Sequence, residues 1–460
     1  MKKNILYILH QLIDPNNYDS TSIGGTSLHL LDIIERVKKD YNCFVLYSFN
    51  GRYSLAVYTE NEMHVMDLDV KVHDVLFSSY NKEYKKMLSE LIDKLHINLV
   101  HIHHLQGHAY DLVDVLKEKN LKPVITLHDY FMICPRINML YKNKEYCDLK
   151  DCKQCDECLT EKIDIKKRNK KIEELFTYSQ SVIVPNKTVK DIYSRIHPKA
   201  NYQVIEHGSN TPVNTIVRKR HNLKKLNVAF VGFLPYLKGS DIAKALLKKA
   251  KKSEYKFHLF GLSDDPFFSQ NTRNYIFHGE YKREELSKLL NKNKIDVVCL
   301  LTRCPETYCY TLSEVINAKM PIIGFDIGAI GERIERLKVG WISPLEQKED
   351  GILELLQKIK KDNNMYEQVL YNLNQTKLPS VEEMVSDTLK EYTILKDTKI
   401  VDFDMDIFKH FDLRIEEISL RKKKIGKKSK IYSYLKRYIP YSIKRPIYLL
   451  IRKIRDWVRL

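Results

Sequence analysis

The chain has 460 residues and a formal net charge of +18. One hydrophobic core rarely grows past about 250–300 residues, so this length implies two or three domains. With 43% hydrophobic residues and only 15 Gly and 14 Pro, a collagen-like or low-complexity chain is excluded, and no run of 18 or more apolar residues offers a transmembrane helix.

Met1-Lys2-Lys3 followed by Ile5–Leu9 resembles the start of a signal peptide. The apolar stretch is too short, however, and no small-residue cleavage site follows, so it is read as a first buried strand. Export is not expected, and the nine cysteines are expected to be reduced. A polar loop (Asp14–Ser22) and the pair Gly24-Gly25 precede a helix over 27–38, with apolar residues at 28, 31, 34 and 37. Strands follow at 43–47, 99–103 and 123–127, with a helix over 110–119, and short strands at 182–185 and 204–205 close this half. The basic, polar stretch 213–225 reads as a linker. The alternation then restarts, with strands at 228–231, 256–260, 275–278, 297–301 and 321–326. Its helices lie at 241–250, 284–291 and from about Thr311 to Lys319. Such alternation predicts parallel, doubly wound sheets. Two of them in one chain place a ligand cleft outside the carboxyl ends of their strands. The expected division is 1–212, a linker at 213–225, a second domain with returning helices at 226–400, and a tail at 401–460.

Glu306 and Glu314 flank a turn from strand to helix. The loop between them (Thr307, Tyr308, Cys309, Tyr310, Thr311) and the helix start are suited to an anion, because unpaired N–H groups and the helix dipole favour phosphate. One carboxylate can take sugar hydroxyls and the other a ribose. In the first half, Val124–Phe131 places the pair His128-Asp129 at the end of an apolar strand, where site residues of open α/β sheets lie. His101, His103, His104 and His108 cluster before it. They admit a metal reading, or a structural one in which His104 or His108 borders an acceptor cleft. Cys147, Cys152, Cys155 and Cys158, with Cys134 just before them, have spacings suited to a closed tetrahedral zinc site. An iron–sulfur cluster or a metal-free loop fits the same spacing.

Together with Val231–Asp241, which carries Lys238-Gly239, and the Gly-rich stretch 320–332 before Glu332, these motifs resemble the retaining glycosyltransferases of the family-4 type over residues 1–390. The resemblance implies the GT-B fold, two Rossmann-like domains facing a cleft, and sugar transfer from a nucleotide-sugar donor without a catalytic metal. It places Glu306 on donor-sugar hydroxyls, Glu314 on the ribose, and Lys238 on the diphosphate. Gly24 and Gly25 approach sugar and phosphate, His128 faces the donor sugar, and Tyr281 lies near the base. One departure stands out: the family usually carries arginine right after the glycine at 232, and here that residue is Phe233. Arg303 and the Gly25 backbone are the candidates to compensate.

Residues 401–419 are acidic, whereas 421–460 carry fifteen Lys/Arg and one acid, leaving only +4 for the rest of the chain. Tyr, Trp and aliphatic residues interleave with those cations. This suits a helix lying in an anionic membrane interface, and no module for reading nucleic acid accompanies it. The expected function is retaining transfer to a lipid-linked or other envelope glycan acceptor, by an enzyme held at the inner face of a cell membrane. A sugar-nucleotide epimerase on the same fold, or a non-catalytic nucleotide-sugar binder, is the alternative.

Overall fold

The computed structural model describes residues 2–12, 24–49, 51–60, 62–141, 146–148, 163–214, 225–393, 403–411 and 415–418. Its strands are β1 (Lys3–Leu9), β2 (Tyr41–Phe49), β3 (Arg52–Tyr58), β4 (Met63–Lys71), β5 (Leu99–Ile102), β6 (Val124–Thr126), β7 (Ser181–Val184) and β8 (Tyr202–Val204) in the first half. The second half has β9 (Leu226–Phe233), β10 (Tyr255–Leu262), β11 (Tyr275–Gly279), β12 (Val297–Leu300), β13 (Ile322–Phe325) and β14 (Gly340–Ser343), with β15 (Ile415–Ile418) near the C-terminus.

The first sheet runs β15-β4-β3-β2-β1-β5-β6-β7-β8. β1 pairs in parallel with β2 and β5 at its centre, Ile5 standing opposite both Cys43 and Leu99. Its residues alternate between two cores, as a strand covered on both faces must. Leu6 and Ile8 pack with Phe44, Val100 and Leu112. Ile5, Tyr7 and Leu9 pack with Leu30, Ile34 and Val37 of the helix Gly25–Val37.

Three antiparallel strands extend this sheet beyond the doubly wound pattern expected from sequence. β2 and β3 form a hairpin with Phe49 opposite Arg52. Gly51, at φ +78, takes the left-handed conformation such a two-residue turn demands. β4 pairs with β3, and β15 pairs with β4 with Ile415 opposite Leu68. Residues 403–411 and 415–418, read from sequence as part of the acidic start of a tail, therefore join the first domain. Phe403, Met405, Ile407, Phe408 and Phe411 cover its core, hydrophobics that the acidic composition of the segment masks.

The second sheet is six-stranded and wholly parallel, in the order β11-β10-β9-β12-β13-β14. Its strand order reverses between β9 and β12, the place where a crevice opens at the strand ends. The chain then returns to the first domain. Helix Val381–Lys390 starts from a capping box at Ser380 and Glu383 and seats Val381, Met384 and Val385 against the Ile5/Tyr7 face of β1. Among the described residues no helix is long and apolar enough to cross a membrane. The basic segment 421–460 lies outside the described residues.

Candidate functional site

The carboxyl ends of both sheets face one cleft of about 350 Å3. The first sheet contributes Gly25, at the helix start after β1, and His128, Asp129 and Tyr130 after β6. The second contributes Lys238 after β9 and the whole loop Cys304–Thr311 after β12. His128, Lys238 and the 304–311 loop thus follow the ends of parallel strands, where the backbone has left the ladder and side chains are free to converge, and Gly25 joins them from the start of the next helix.

Lys238 owes its position to the residue after it. Gly239 has φ +79, and a Cβ there would lie 2.1 Å from the Leu301 carbonyl oxygen, so only glycine allows β9 to turn this tightly beside β12. The turn holds the Lys238 ammonium 3.5 Å from the Glu306 carboxylate. That carboxylate, acting against burial, raises the Lys238 pKa above the usual lysine value. The cleft therefore holds a cation that pairs, among the described residues, with the Glu306 carboxylate.

The loop after Glu306 is clamped to the first domain. The Thr307 hydroxyl donates to the His128 carbonyl at 2.5 Å, and the Asn186 amide donates to the Thr307 carbonyl at 2.5 Å. The Tyr308 hydroxyl donates to the His207 carbonyl at 2.5 Å, and Tyr310 meets His207 Nδ1 at 3.2 Å. Beneath Tyr308 lies Arg333, fully buried. Its guanidinium stacks 4.3 Å from the Tyr308 ring, donates to the Tyr308 carbonyl and the Ser313 hydroxyl, and pairs with Glu206 of the first domain at 3.2 Å. Cys309 has φ 65, an unusual backbone conformation for a non-glycine residue, and it aims the N-terminus of helix Tyr310–Asn317 at the cleft, with Thr311 on the cleft wall.

Glu314 and Tyr281 do not line the cleft directly. Glu314 is buried, and one carboxylate oxygen accepts the Tyr281 hydroxyl at 2.9 Å. The other pairs with Arg283 at 2.8 Å. Burial raises the Glu314 pKa, against the opposing pull of Arg283 and Tyr281. It is Arg283 that reaches the cleft wall, over the Tyr310 ring. Arg303, the candidate for replacing the usual arginine, is engaged elsewhere: it pairs with Asp241 and stacks on Tyr236. Phe233 is 53% exposed and lines a small recess with Lys238 and Thr311. Arg283 went unread in the sequence because nothing in its spacing sets it apart in a chain with 77 Lys and Arg.

Gly24 precedes helix Gly25–Val37 as an exposed N-cap. Cys147 is a free thiol among the described residues, while Cys152, Cys155 and Cys158 lie outside them. His104 bonds Asp129 at 3.0 Å. Burial works to raise the pKa of Asp129, but His104 and the Phe131 N–H outweigh it and hold the carboxyl ionised. The other early histidines are internal: His101 bridges Thr126 and Tyr392, and His108 bridges Tyr84 and the Leu9 carbonyl. Burial, and then neighbouring imidazoles, hold His128 well below the usual histidine range, so it is neutral.

Asp32, on the helix that begins at Gly25, gives a pH-dependent prediction. Burial, partly offset by Arg36 and Arg283, raises its pKa to about 6. Between the ordinary carboxyl value and about 6, the folded state holds a proton that the unfolded state has lost. Asp32 therefore costs stability as pH rises through that window. One pKa unit is about 1.36 kcal/mol, so the cost is about 3 kcal/mol above pH 6. Asp32→Asn should be more stable than the wild type at pH 7 and match it near pH 4. Urea unfolding at the two pH values checks this, and a constant difference across the range would refute it.

Residues 214–375 match the family described as Glycosyl transferases group 1. HepE of Anabaena, solved in complex with UDP, superposes with a TM-score of 0.57 at 12% identity, covering 85% of this chain and 99% of that one. Sucrose-phosphate synthase of Thermosynechococcus elongatus gives a TM-score of 0.55 at 12% identity, over 85% and 98% of the two chains. The lipopolysaccharide outer core galactosyltransferase WaaB gives 0.51 at 11%, over 84% and 98%. The architecture is GT-B. No curated protein matches the chain by sequence. Within the GT-B frame, Lys238 and Glu306 stand at the switch point of the second sheet, and Gly25 and His128 face them from the first.

Proposed function

We propose that the chain is a glycosyltransferase that moves a sugar from a nucleotide-sugar donor to a glycan acceptor, with retention at the anomeric carbon. The observation that carries this reading is the convergence of Lys238, Glu306 and His128 on one cleft between two doubly wound sheets, in a chain whose second domain matches the group 1 glycosyl transferases. The leaving diphosphate gains charge in the transition state, and a fixed cation beside it stabilises that charge without reorganisation. Lys238 is that cation, assisted by the helix start at Tyr310-Thr311. Glu306 takes hydroxyls of the donor sugar, and the neutral His128 faces the same sugar. Glu314 takes the ribose when Arg283 releases one of its oxygens. Arg283, on the cleft wall, supplies the cationic character that Phe233 lacks.

Thermal shift against UDP-, GDP-, ADP- and dTDP-sugars tests the donor site. HepE is solved with UDP and with UDP-glucose, so uridine donors head the panel. A nucleotide at 100 times its dissociation constant adds about 2.7 kcal/mol to stability. The expected result is a shift with one nucleotide class, retained in Glu306→Ala while turnover is lost. A shift without turnover in the wild type would favour the non-catalytic binder, the reading to which Phe233 lends support, and no shift with any donor would remove the donor site.

The acceptor proposed is a lipid-linked or other envelope glycan precursor, with residues 421–460 binding an anionic membrane face. Each cation near such a surface contributes about 1 kcal/mol. Full-length protein should sediment with phosphatidylglycerol vesicles at low salt, and the chain ending at 420 should stay in the supernatant. Equal sedimentation of the two would remove the tail from this role.

A further inference from the structure

Eight of the sixteen histidines crowd the carboxyl ends of the first sheet and the segment just after β8, far more than a transfer reaction uses. Three of them come from separate elements: His29 from the helix Gly25–Val37, His103 from the end of β5, and His128 from the end of β6. One ring nitrogen from each lies within 4.8 Å of the others. The His29 ring centroid is 4.8 Å from that of His128 and 5.6 Å from that of His103. His103 and His128 stack and share one hydrogen bond, Nδ1 to Nε2, at 2.9 Å. His207 stands 4.3 Å from His29.

Their hydrogen bonding is incomplete. His29 Nδ1, His103 Nε2 and His207 Nε2 are buried nitrogens without a partner, although His29, His103 and His207 are 2%, 1% and 2% exposed. Buried polar atoms are nearly always satisfied, and a cluster that is not points to an absent water or ion. A neutral imidazole keeps one ring-nitrogen lone pair that a metal can take. Neutral imidazole suits zinc, cobalt, nickel and copper, whereas magnesium and calcium prefer oxygen ligands.

We infer that His29, His103 and His128 form a binding site for a divalent transition-metal ion of the zinc class. Tetrahedral coordination at about 2.0–2.1 Å places ligand nitrogens about 3.3 Å apart. The His103–His128 pair is already close to that, and a turn of the His29 ring brings in the third. Both rings are neutral, so binding through His103 Nδ1 and His128 Nε2 releases no proton: the ring that now donates between them carries its hydrogen on its other nitrogen instead. His128 also lines the cleft, so the cluster borders it. The site rests on the side-chain cluster alone and stands whether or not the transfer reading holds.

The test is a Co2+ titration of the full chain after chelator stripping. Thiolate-bound cobalt absorbs strongly in the near ultraviolet and imidazole-bound cobalt does not, which separates this site from the cysteine cluster. We expect one equivalent bound without thiolate absorption, with paramagnetically shifted imidazole N–H signals in the wild-type proton spectrum. That component should weaken by about tenfold or more in His29→Gln and in His103→Asn, each checked for an unchanged thermal unfolding midpoint. The wild-type spectrum decides even if both variants fail to fold. Absence of imidazole-bound cobalt at about 100 μM metal, or its full retention in a folded variant, overturns the assignment.

Discussion

Lys238→Met should lower kcat by about 10²–10³-fold, the usual cost of removing one preorganised group that stabilises developing charge. The side chain keeps its length and loses only the ammonium, which the Gly239 turn holds 3.5 Å from Glu306. In the proposed donor complex the Glu306 carboxylate would then face the diphosphate uncompensated, so the donor KM should also rise. Lys238→Arg should recover part of the rate, since the charge returns in a bulkier, planar form. Initial rates of nucleotide release over a range of donor concentrations check both variants. A kcat within threefold of wild type for Lys238→Met would remove Lys238 from the chemistry and leave diphosphate departure to Arg283 and the helix start.

Arg333→Met should cost about 3–5 kcal/mol of folding stability, the range measured when one partner of a buried ion pair is removed. Arg333 is fully buried. Its loss strips Glu206 of one of its two cations, Arg336 being the other. It also leaves the Tyr308 carbonyl and the Ser313 hydroxyl without their donor. The same guanidinium supports the ring of Tyr308, whose hydroxyl ties the loop to the first domain. The donor KM should therefore rise along with the loss of stability. Guanidinium unfolding followed by far-ultraviolet circular dichroism reads the first effect. Adding Glu206→Gln to Arg333→Met should return part of the loss, because it removes the carboxylate left behind. A loss under about 1 kcal/mol for the single variant would mean that water replaces Arg333 and that the two domains are not coupled through it.

The parallel strands were legible in the sequence because a strand buried on both faces reads as a short continuous apolar run. Ile5–Leu9, Val228–Val231 and Pro321–Asp326 are of this kind. The motif residues were legible for a related reason. His128, Lys238 and Glu306 stand a few residues past such runs, where the chain leaves its strand at the edge of a cleft, and Gly25 opens the helix after the first of them. The antiparallel extension of the first sheet was less visible. Asn50-Gly51 is a hairpin signature, and Met66–Lys71 of β4 alternates buried and outward residues, but β3 is buried at six of its seven positions and carries no alternation of its own. β15 itself, Ile415-Glu416-Glu417-Ile418, is indistinguishable from an acidic linker until β4 presents its open edge.

By itself, the sequence determined the class of fold, two doubly wound sheets, and several of the residues that line the cleft. Hydrophobic period and strand-end position are local properties, and the chain carries them without tertiary help. Only the tertiary structure decided which cations serve the cleft and which strands complete the first sheet. It assigned Arg303 to Asp241, Arg283 to Glu314 and the cleft wall, and Arg333 to the ground beneath Tyr308. It also brought His29, His103 and His128, separated by up to 99 positions, to one point. Charges and imidazoles are assigned by distances that depend on how two sheets and their returning helix pack, and no local pattern in the chain encodes those distances.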